Sequence, residues 1–497
     1  MNALWTAVAI AAAMSLARMF AAYVISAITA LILGVVMARN RHVEALLLPV
    51  LDILQSIPIL GFFPVAMLIF IKAFGPGAGA EISSIVLIAT SLLWNMIFGV
   101  YSALKSLDPE YEVMLKVYNV GPLTRFFAVY APASYASLLA NSLISWAGGW
   151  FFLTSAEIMS VGQVTYKLVG LGSLIVDAQE RGDELLFNVA LATLMAVIVA
   201  SYLLIWNPVT VRLLNIRTLP GLVYTEKLLE LSVAKVWRMM AKAMIRLEGR
   251  LRGALMSAVA VCTPLALYRV AFSSSPVGIV QELVNVGSLF LGNLPLTVAR
   301  VYGIVALSLV LSLFAAYAAY NNERVAWALN VLGELLSSVP APLWWAILAG
   351  IAVSNPILVM FVVLFQGAFW YTYFNVLIFG IPSMRQEIIE LSRIYGVRGR
   401  LFLRHVFVPM LMPAILAGTL SASGGAWNAT IVAEYFQAGQ EVIDLGGVGA
   451  LLDKLNASGD VLGLIISLVY MSIFIVIVNN LLFKRLFSRI SGRFSYE

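Results

Sequence analysis

The chain has 497 residues, of which 62% are hydrophobic and only 11% are charged, whereas an average soluble domain has about 45–50% and about 25%. Its mean hydropathy of +0.95 predicts a polytopic membrane protein and excludes soluble enzymes, disordered scaffolds and secreted disulfide domains. The net charge is +6, the single cysteine excludes an internal disulfide or a thiolate metal cluster, and two distant histidines argue against a histidine metal site.

Apolar runs long enough to cross about 30 Å of hydrocarbon occur eleven times along the chain. We predict spans near 19–37, 50–72, 83–104, 133–156, 185–206, 253–272, 300–319, 335–354, 357–380, 409–432 and 461–483. All are expected to be helices, because unpaired backbone amides in lipid cost several kcal/mol and no run alternates with period two. Residues 1–17 are interpreted as an outer-face helix or as the start of the first span.

The placement of lysine and arginine predicts the orientation in the membrane. With the N-terminus outside, the eleven spans put 24 of the 31 basic residues in cytoplasmic segments, as the positive-inside rule expects. The C-terminus is then cytoplasmic. The paired Arg18 and Arg300 are expected to snorkel near the outer face, and attraction of anions is the competing role.

The chain contains two copies of one unit, which run in the same direction. An offset of 277 residues aligns 116–183 with 393–460 without a gap, and it pairs Trp150 with Trp427 and Glu157 with Glu434. Nearer the front of each copy the offset is 282. We predict a first unit of about five helices over 1–212, a basic cytoplasmic linker over 213–252, and a second unit of about six helices over 253–497.

The predicted cytoplasmic loop of the second copy carries a charged helix, a turn and a proline before the next span. Glu387 and Glu390 fall on one helix face together with Arg393 nearby, Gly396 permits a left-handed turn, and Pro409 is expected to open the next span. A docking surface for a soluble partner and a plain solvated loop are both consistent with this pattern.

The first copy departs from the second in this loop. The offset puts Val113 at the position of Glu390 and Asn119 at the position of Gly396, although asparagine is also tolerated in a left-handed turn. The corresponding candidates in the first loop are Glu110, Glu112, Asn119 and Pro132. The two loops are therefore expected to be unequal.

The spacing of Glu390, Gly396 and Pro409 resembles the EAA loop of permease subunits of binding-protein-dependent ABC importers. The likeness continues through Trp427, the Ala-Glu pair ending at Glu434, and the Gly-x-Gly of Gly447 and Gly449. Together these residues resemble the nitrate, sulfonate and taurine branch of that family, twice in one chain.

The resemblance implies an all-α fold of two tandem parallel repeats of the type I ABC importer transmembrane domain, with about 11 helices. It implies a non-catalytic subunit in a prokaryotic cell membrane, whose loops couple to two cytoplasmic ATPase subunits that bind ATP and Mg. An extracytoplasmic solute-binding protein is a further expected partner, and nucleic acid is not. The chain has no phosphate-binding loop of the form GxxxxGK[ST].

Polar residues inside spans are candidates for the solute pathway. The sequence offers Asn141, Ser145, Trp150, Ser423, Trp427 and Asn428, although serines and glycines there could equally serve close helix packing. Glu157 and Glu434 are expected to form an outer gate by bonding to exposed helix ends; contact with a binding protein is the competing role. A secondary carrier or channel working without an ATPase is the alternative function, which the nearly uncharged spans disfavour.

Overall fold

The structure is a computed structural model, and it describes residues 2–56, 59–161, 164–206, 208, 276–337, 348, 351, 353–381, 384–438 and 441–478. The predicted linker over 213–252, the span near 253–272 and most of the span near 335–354 lie outside the described residues. Within the described ranges, seven helices are long and apolar enough to cross a membrane, or eight if a pair bent by 43° over 122–157 is one span.

Over its described residues, the first copy consists of nine helices and one hairpin. In chain order these are α1 (Asn2–Arg39), α2 (Arg41–Ser56), α3 (Ile59–Phe74), α4 (Pro76–Lys105), α5 (Pro109–Val117), α6 (Pro122–Arg125), α7 (Ala131–Glu157), β1 (Ile158–Val161), β2 (Val164–Lys167), α8 (Leu171–Arg181) and α9 (Glu184–Ser201). A π-helical segment, Phe126–Tyr130, joins α6 to α7, and another, Tyr202–Trp206, extends α9.

The second copy repeats this order over the residues that the structure describes there. Its elements are α10 (Pro276–Asn321), α11 (Glu323–Ser337), α12 (Pro356–Phe374), α13 (Gln386–Ile394), α14 (Gly399–Phe402), α15 (Val408–Glu434), β3 (Tyr435–Ala438), β4 (Glu441–Asp444), α16 (Val448–Ser458) and α17 (Val461–Val478). The predicted architecture of two tandem helical copies is confirmed.

The first helix of each copy is longer than a single crossing requires. α1 has 38 residues and α10 has 46, which at 1.5 Å per residue give about 57 Å and about 69 Å. Residues 2–17 are therefore part of the helix that contains the first predicted span. Arg18 and Arg300 lie well inside these helices and not at their ends.

The predicted span near 50–72 falls on two described helices. α2 ends at Ser56 and α3 begins at Ile59, and the two residues between them, 57 and 58, lie outside the described residues. Because the first N–H groups of a helix have no partner within that helix, the start of α3 needs acceptors from elsewhere.

Pro409 does not open the span that follows the second loop. The helical path already begins at Gly399 and runs through a π-helical segment, Leu403–Phe407, to the end of α15. Pro132 lies at the equivalent point after Phe126–Tyr130. Because a proline ring crowds the carbonyl four residues earlier, a widened turn just before it lets the helix continue.

Two short antiparallel hairpins interrupt the otherwise helical part of the chain that the structure describes. β1 pairs with β2 from Ile158–Lys167 to Val161–Val164, and β3 pairs with β4 from Tyr435–Asp444 to Ala438–Glu441. They occupy equivalent positions after α7 and α15. Strands of four residues carry too little alternating pattern to be predicted, and both hairpins lie outside the predicted spans.

The two copies pack against each other through exchanged helices. α2 of the first copy contacts α17 of the second, and α11 of the second copy contacts α9 and α7 of the first. α3 also packs on α15 to α17. Since α2 and α11 are equivalent, as are α17 and α9, these contacts are related by an approximate two-fold axis, as expected for parallel repeats.

Candidate functional site

The end of the molecule that carries α5 and α13, here called the loop end, presents two short equivalent helices. α5 starts with Pro109 after Asp108, whose side chain accepts a hydrogen bond from the Glu110 N–H at 2.9 Å, which is a favourable N-cap. Each helix stops at a residue in left-handed conformation, Asn119 with φ 46° and Gly396 with φ 68°. The predicted turn therefore survives in the first copy although its glycine is replaced.

Each loop-end helix exposes one apolar ridge. The first ridge consists of Tyr111, Met114, Val117 and Tyr118, and the second ridge consists of Ile388, Leu391, Ile394 and Tyr395. Members of the two ridges are equivalent one by one at the offset of 277, and the last two of each are more than 70% exposed. Large exposed apolar side chains that are repeated at matching positions mark an interaction surface. Sequence reasoning singled out the charged residues here and missed the ridges.

Among the predicted loop residues, Glu387, Glu390, Arg393 and Gly396 are all exposed on or beside α13. Glu110 is exposed on α5 at the position equivalent to Glu387. These residues therefore border the ridges and are accessible to a partner.

Glu112 faces inward instead. Its carboxylate lies 2.9 Å from the Arg39 guanidinium and accepts a hydrogen bond from the Tyr130 hydroxyl at 2.8 Å. At the equivalent positions the second copy has Ile389 and Phe407, both buried. The first loop helix is thus held by a polar network and the second by apolar packing. The two loops are unequal in how they are attached.

At the opposite end, here called the hairpin end, Glu157 is buried in a network of hydrogen bonds, the first carboxylate cluster. It accepts hydrogen bonds from the Ser15 hydroxyl at 2.5 Å, from the Arg18 guanidinium at 3.0 Å and from the Gly172 N–H at 2.7 Å. Ser15 also accepts a hydrogen bond from the Leu171 N–H at 2.8 Å. The carboxylate and the hydroxyl together satisfy backbone donors in the first turn of α8, where the helix dipole favours a negative charge.

The second copy builds the same arrangement, the second carboxylate cluster. Glu434 accepts hydrogen bonds from Thr297 at 2.9 Å, from Arg300 at 3.0 Å and from the Gly449 N–H at 2.8 Å. Thr297 accepts a hydrogen bond from the Val448 N–H at 2.8 Å. Each glutamate is fully buried. The first carboxylate cluster joins α1 and α7 to α8, and the second carboxylate cluster joins α10 and α15 to α16.

The Gly-x-Gly motif at the start of α8 and α16 is explained by the close approach of these carboxylates. A Cβ on Gly170 would lie 2.2 Å from the Glu157 carboxylate, and one on Gly447 would lie 2.3 Å from the Glu434 carboxylate. A Cβ on Gly172 or Gly449 would meet the backbone of the preceding long helix within 2.7 Å. Only glycine leaves room for the acid at these positions.

The expectation that Arg18 snorkels is wrong. Its side chain is only 3% exposed and is paired with two carboxylates, Glu157 and Glu81. Glu81 at the start of α4 binds the Arg18 guanidinium through both oxygens, at 2.7 and 2.8 Å. Arg300 instead donates its further hydrogen bonds to the carbonyls of Leu445 and Gly446. Buried arginine needs such partners because an unpaired buried charge is costly.

Ser15 and Thr297 were missed by the sequence reasoning, although a signal was present. Each precedes its arginine by three residues, and the offset of 282 that pairs the arginines also pairs these hydroxyl residues. The carboxylates of Glu157 and Glu434 bond to the N-terminal turns of α8 and α16, as expected of gate residues. Their role in gating stays a prediction.

Most of the predicted pathway residues pack inside their own copy. Ser145, Trp150, Ser423 and Trp427 are at most 1% exposed, and the Trp427 ring lies 5.7 Å from the ring of Phe474 in the same copy. Asn141 donates a hydrogen bond to the Ser137 carbonyl in its own helix at 2.9 Å. None of these five residues lines the cavity described below. Their role in a pathway stays a prediction.

Asn428 is the predicted pathway residue that reaches across the two copies. Its side-chain oxygen accepts a hydrogen bond from the N–H of Ile59, the first residue of α3. A backbone donor at the start of α3 is therefore satisfied by the other copy. The equivalent position in the first copy is Phe151, which has no hydrogen-bonding group.

A small cavity lies between the two copies. It is lined by Ala147, Gly148, Phe151 and Phe152 of α7, by Ser337 of α11, by Gln366, Gly367, Trp370, Tyr371 and Phe374 of α12, and by Gly425 of α15. The space open to water-sized molecules is about 40 Å³, which is room for only a few waters. No charged residue is among those lining it.

These features define a polytopic helical membrane protein built from two copies of one unit, with paired loop helices at one end and paired buried carboxylates at the other. Residues 30–210 and 308–496 each match the family described as binding-protein-dependent transport system inner membrane component. The two matches cover more than half of the chain. The chain belongs to this family and contains its domain twice.

Similar curated proteins are permeases. The chain is 22% identical over 170 residues to the nitrate import permease protein NrtB of Synechococcus elongatus, and 23% identical over 167 residues to the bicarbonate transport system permease protein CmpB of the same organism. It is 26% identical over 176 residues to a probable ABC transporter permease protein of Haemophilus influenzae. The matches cover 34%, 34% and 35% of this chain, and 56%, 56% and 65% of the three relatives.

Proposed function

We propose that this protein is the permease of an ATP-binding cassette importer, with both membrane halves fused in one chain. It forms the pathway for a small polar solute and performs no chemistry itself. Two cytoplasmic ATPase subunits, which bind ATP and Mg, dock at the loop end. The proposal is supported by the family membership and by the transport functions of the similar permeases.

The observation that carries the proposal is the pair of equivalent apolar ridges. A cytoplasmic dimer of similar subunits needs two similar surfaces related by the same approximate two-fold axis, and the loop end offers these. The two ridges expose eight large side chains in four matched pairs. Such exposure to water is unfavourable unless a partner covers it. The differing attachments of α5 and α13 predict that the two docking sites transmit motion unequally.

The remaining partners and the orientation follow from the same proposal. The hairpin end faces the outside and receives a solute-binding protein, while the N-terminus lies outside and the C-terminus in the cytoplasm of a prokaryotic cell. The carboxylate clusters close the outer end of the pathway. Because nitrate and bicarbonate permeases are among the similar proteins, we propose a small anion as the solute.

Copurification tests the proposal. The full chain is expressed with a candidate ATPase subunit from its neighbouring genes, and Ile394→Asp should abolish retention of the ATPase, because it puts a charge into the apolar contact. Val442→Asp is the matched control, since Val442 is 57% exposed but lies at the hairpin end. Equal retention by both variants, or solute uptake that needs no ATPase, would contradict the proposal and favour a secondary carrier.

A further inference from the structure

The cavity between the two copies contains one buried polar side chain whose hydrogen-bonding direction is fixed. Gln366 is 8% exposed, and its side-chain oxygen accepts a hydrogen bond from the indole N–H of Trp370, one helical turn later, at 2.5 Å. An indole N–H is only a donor, so the atom that it meets must be the amide oxygen and not the amide nitrogen. The orientation of the Gln366 amide group is therefore fixed by the indole donor that it meets.

The amide nitrogen of Gln366 is therefore the group left for the cavity. Among the described residues nothing accepts a hydrogen bond from it, and Gln366 is one of the residues that line the space. Gln366 contributes no atom to the fully enclosed unpaired polar atoms, so its amide nitrogen is open to the cavity. A bound solute or water can accept a hydrogen bond from it.

The other lining groups restrict the solute further. Tyr371, next to Trp370, also lines the cavity, and its hydroxyl has no hydrogen-bond partner in the described part of the chain. No carboxylate lines the space, so a solute that must donate several hydrogen bonds finds few acceptors. Aromatic rings form much of the remaining wall, and an anion is attracted to ring edges, which are positive, and not to ring faces, which are negative.

The small size of the cavity and its lack of charge also restrict the solute. A space of about 40 Å³ suits a solute of a few heavy atoms and not one that carries an additional carbon chain. The lack of a fixed positive charge keeps an anion weakly bound, which suits a pathway in which the solute must also leave.

We infer that Gln366, oriented by Trp370, is the solute-contacting donor of the pathway, and that the cavity accepts a small oxyanion of the size of nitrate or bicarbonate. The inference rests on the proposed permease function and names its substrate class and contact residue. Gln366 touches the solute, while Trp370 acts through Gln366 as a positioning residue.

The test uses the full chain with its ATPase subunits and its solute-binding protein in proteoliposomes, and it measures ATP-dependent uptake of nitrate and of taurine. Gln366→Leu should raise the KM for nitrate about ten- to a hundredfold, as expected for losing one hydrogen bond to a charged solute. Trp370→Phe should raise the KM less, because the amide donor remains but can rotate. Phe361→Leu, an exposed position on the same helix, is the matched control and should leave the KM unchanged.

Binding to the chain alone provides a second measurement that does not depend on the ATPase. Line broadening of the nitrate ¹⁴N resonance by the detergent-solubilised chain should be lost in Gln366→Leu and in Gln366→Glu, and kept in Phe361→Leu. An unchanged KM for nitrate together with unchanged line broadening in Gln366→Leu would overturn the inference. Taurine uptake with the same KM as nitrate uptake would also overturn it. Failure of every ATPase to associate, with nitrate broadening intact, would instead contradict the proposed function.

Discussion

Replacing Gly447 by alanine tests whether the glycines of the hairpin end are required by the buried carboxylates. Gly447 has φ 115° and ψ 176°, a region that is essentially restricted to glycine and costs other residues about 1–3 kcal/mol. The new Cβ would lie 2.3 Å from a carboxylate oxygen of Glu434. The carboxylate would have to move away from the Gly449 N–H, which now lies 2.8 Å from it.

The magnitude follows from these two effects. A hydrogen bond to a charged group contributes about 1.5–3 kcal/mol, so Gly447→Ala should destabilise the protein by about 3–6 kcal/mol in total. For a domain of 150–250 residues each kcal/mol lowers the unfolding temperature by about 2–4 °C. We therefore expect a decrease on the order of 10 °C in thermal unfolding of the detergent-solubilised chain, followed by tryptophan fluorescence.

Two control variants separate the backbone effect from the collision. Gly446 has φ 66° but its Cβ would meet nothing closer than 3.7 Å, so Gly446→Ala should show the backbone cost of about 1–2 kcal/mol alone. Gly170 has φ −175°, so Gly170→Ala should show only the collision with Glu157. A Gly447→Ala variant that is no less stable than Gly446→Ala would refute the reasoning.

Three further predictions concern single side chains. Asn119→Val should cost about 1–2 kcal/mol, because a branched residue is disfavoured at φ 46°, and should speed hydrogen exchange of α5, whereas Asn119→Gly should not. Glu112→Ala should lower the free energy of unfolding by about 1 kcal/mol through loss of the Arg39 ion pair, with the exposed Glu110→Ala as the control that stays unchanged in the same thermal assay. Burial raises the pKa of Asp453 to about 7 from its usual 3.8, so its ionisation opposes folding as the pH rises from about 4 to above 7. Asp453→Asn should therefore have the same free energy of unfolding as the parent protein at pH 4, and a free energy of unfolding up to about 4 kcal/mol higher at pH 8. An equal difference between the two proteins at both pH values would contradict this assignment.

The helical membrane architecture and its duplication could be predicted from the sequence, because both depend on local or periodic information. Apolar runs identify spans without knowledge of their neighbours, and two copies in one chain can be aligned directly. The left-handed turn at Asn119 was predictable for the same reason, since it depends on the conformational range of one residue.

The partners of buried polar groups could not be predicted in this way. Arg18 is expected from its sequence position to reach towards water, and only the tertiary structure places Glu81 and Glu157, which are 63 and 139 residues away, around its guanidinium. Likewise, only the tertiary structure brings the Ile59 N–H to Asn428, which is 369 residues away along the chain.

The sequence by itself determined that this protein is a membrane protein made of two similar halves, and it located the loop-end helices and the paired glutamates. The tertiary structure alone decided which side chains those helices expose, which buried charges meet, and which residues line the space between the halves. The physical reason is that the spacing of apolar and turn residues acts within one helix, whereas ion pairs, helix caps and cavities require contacts between segments that are far apart along the chain.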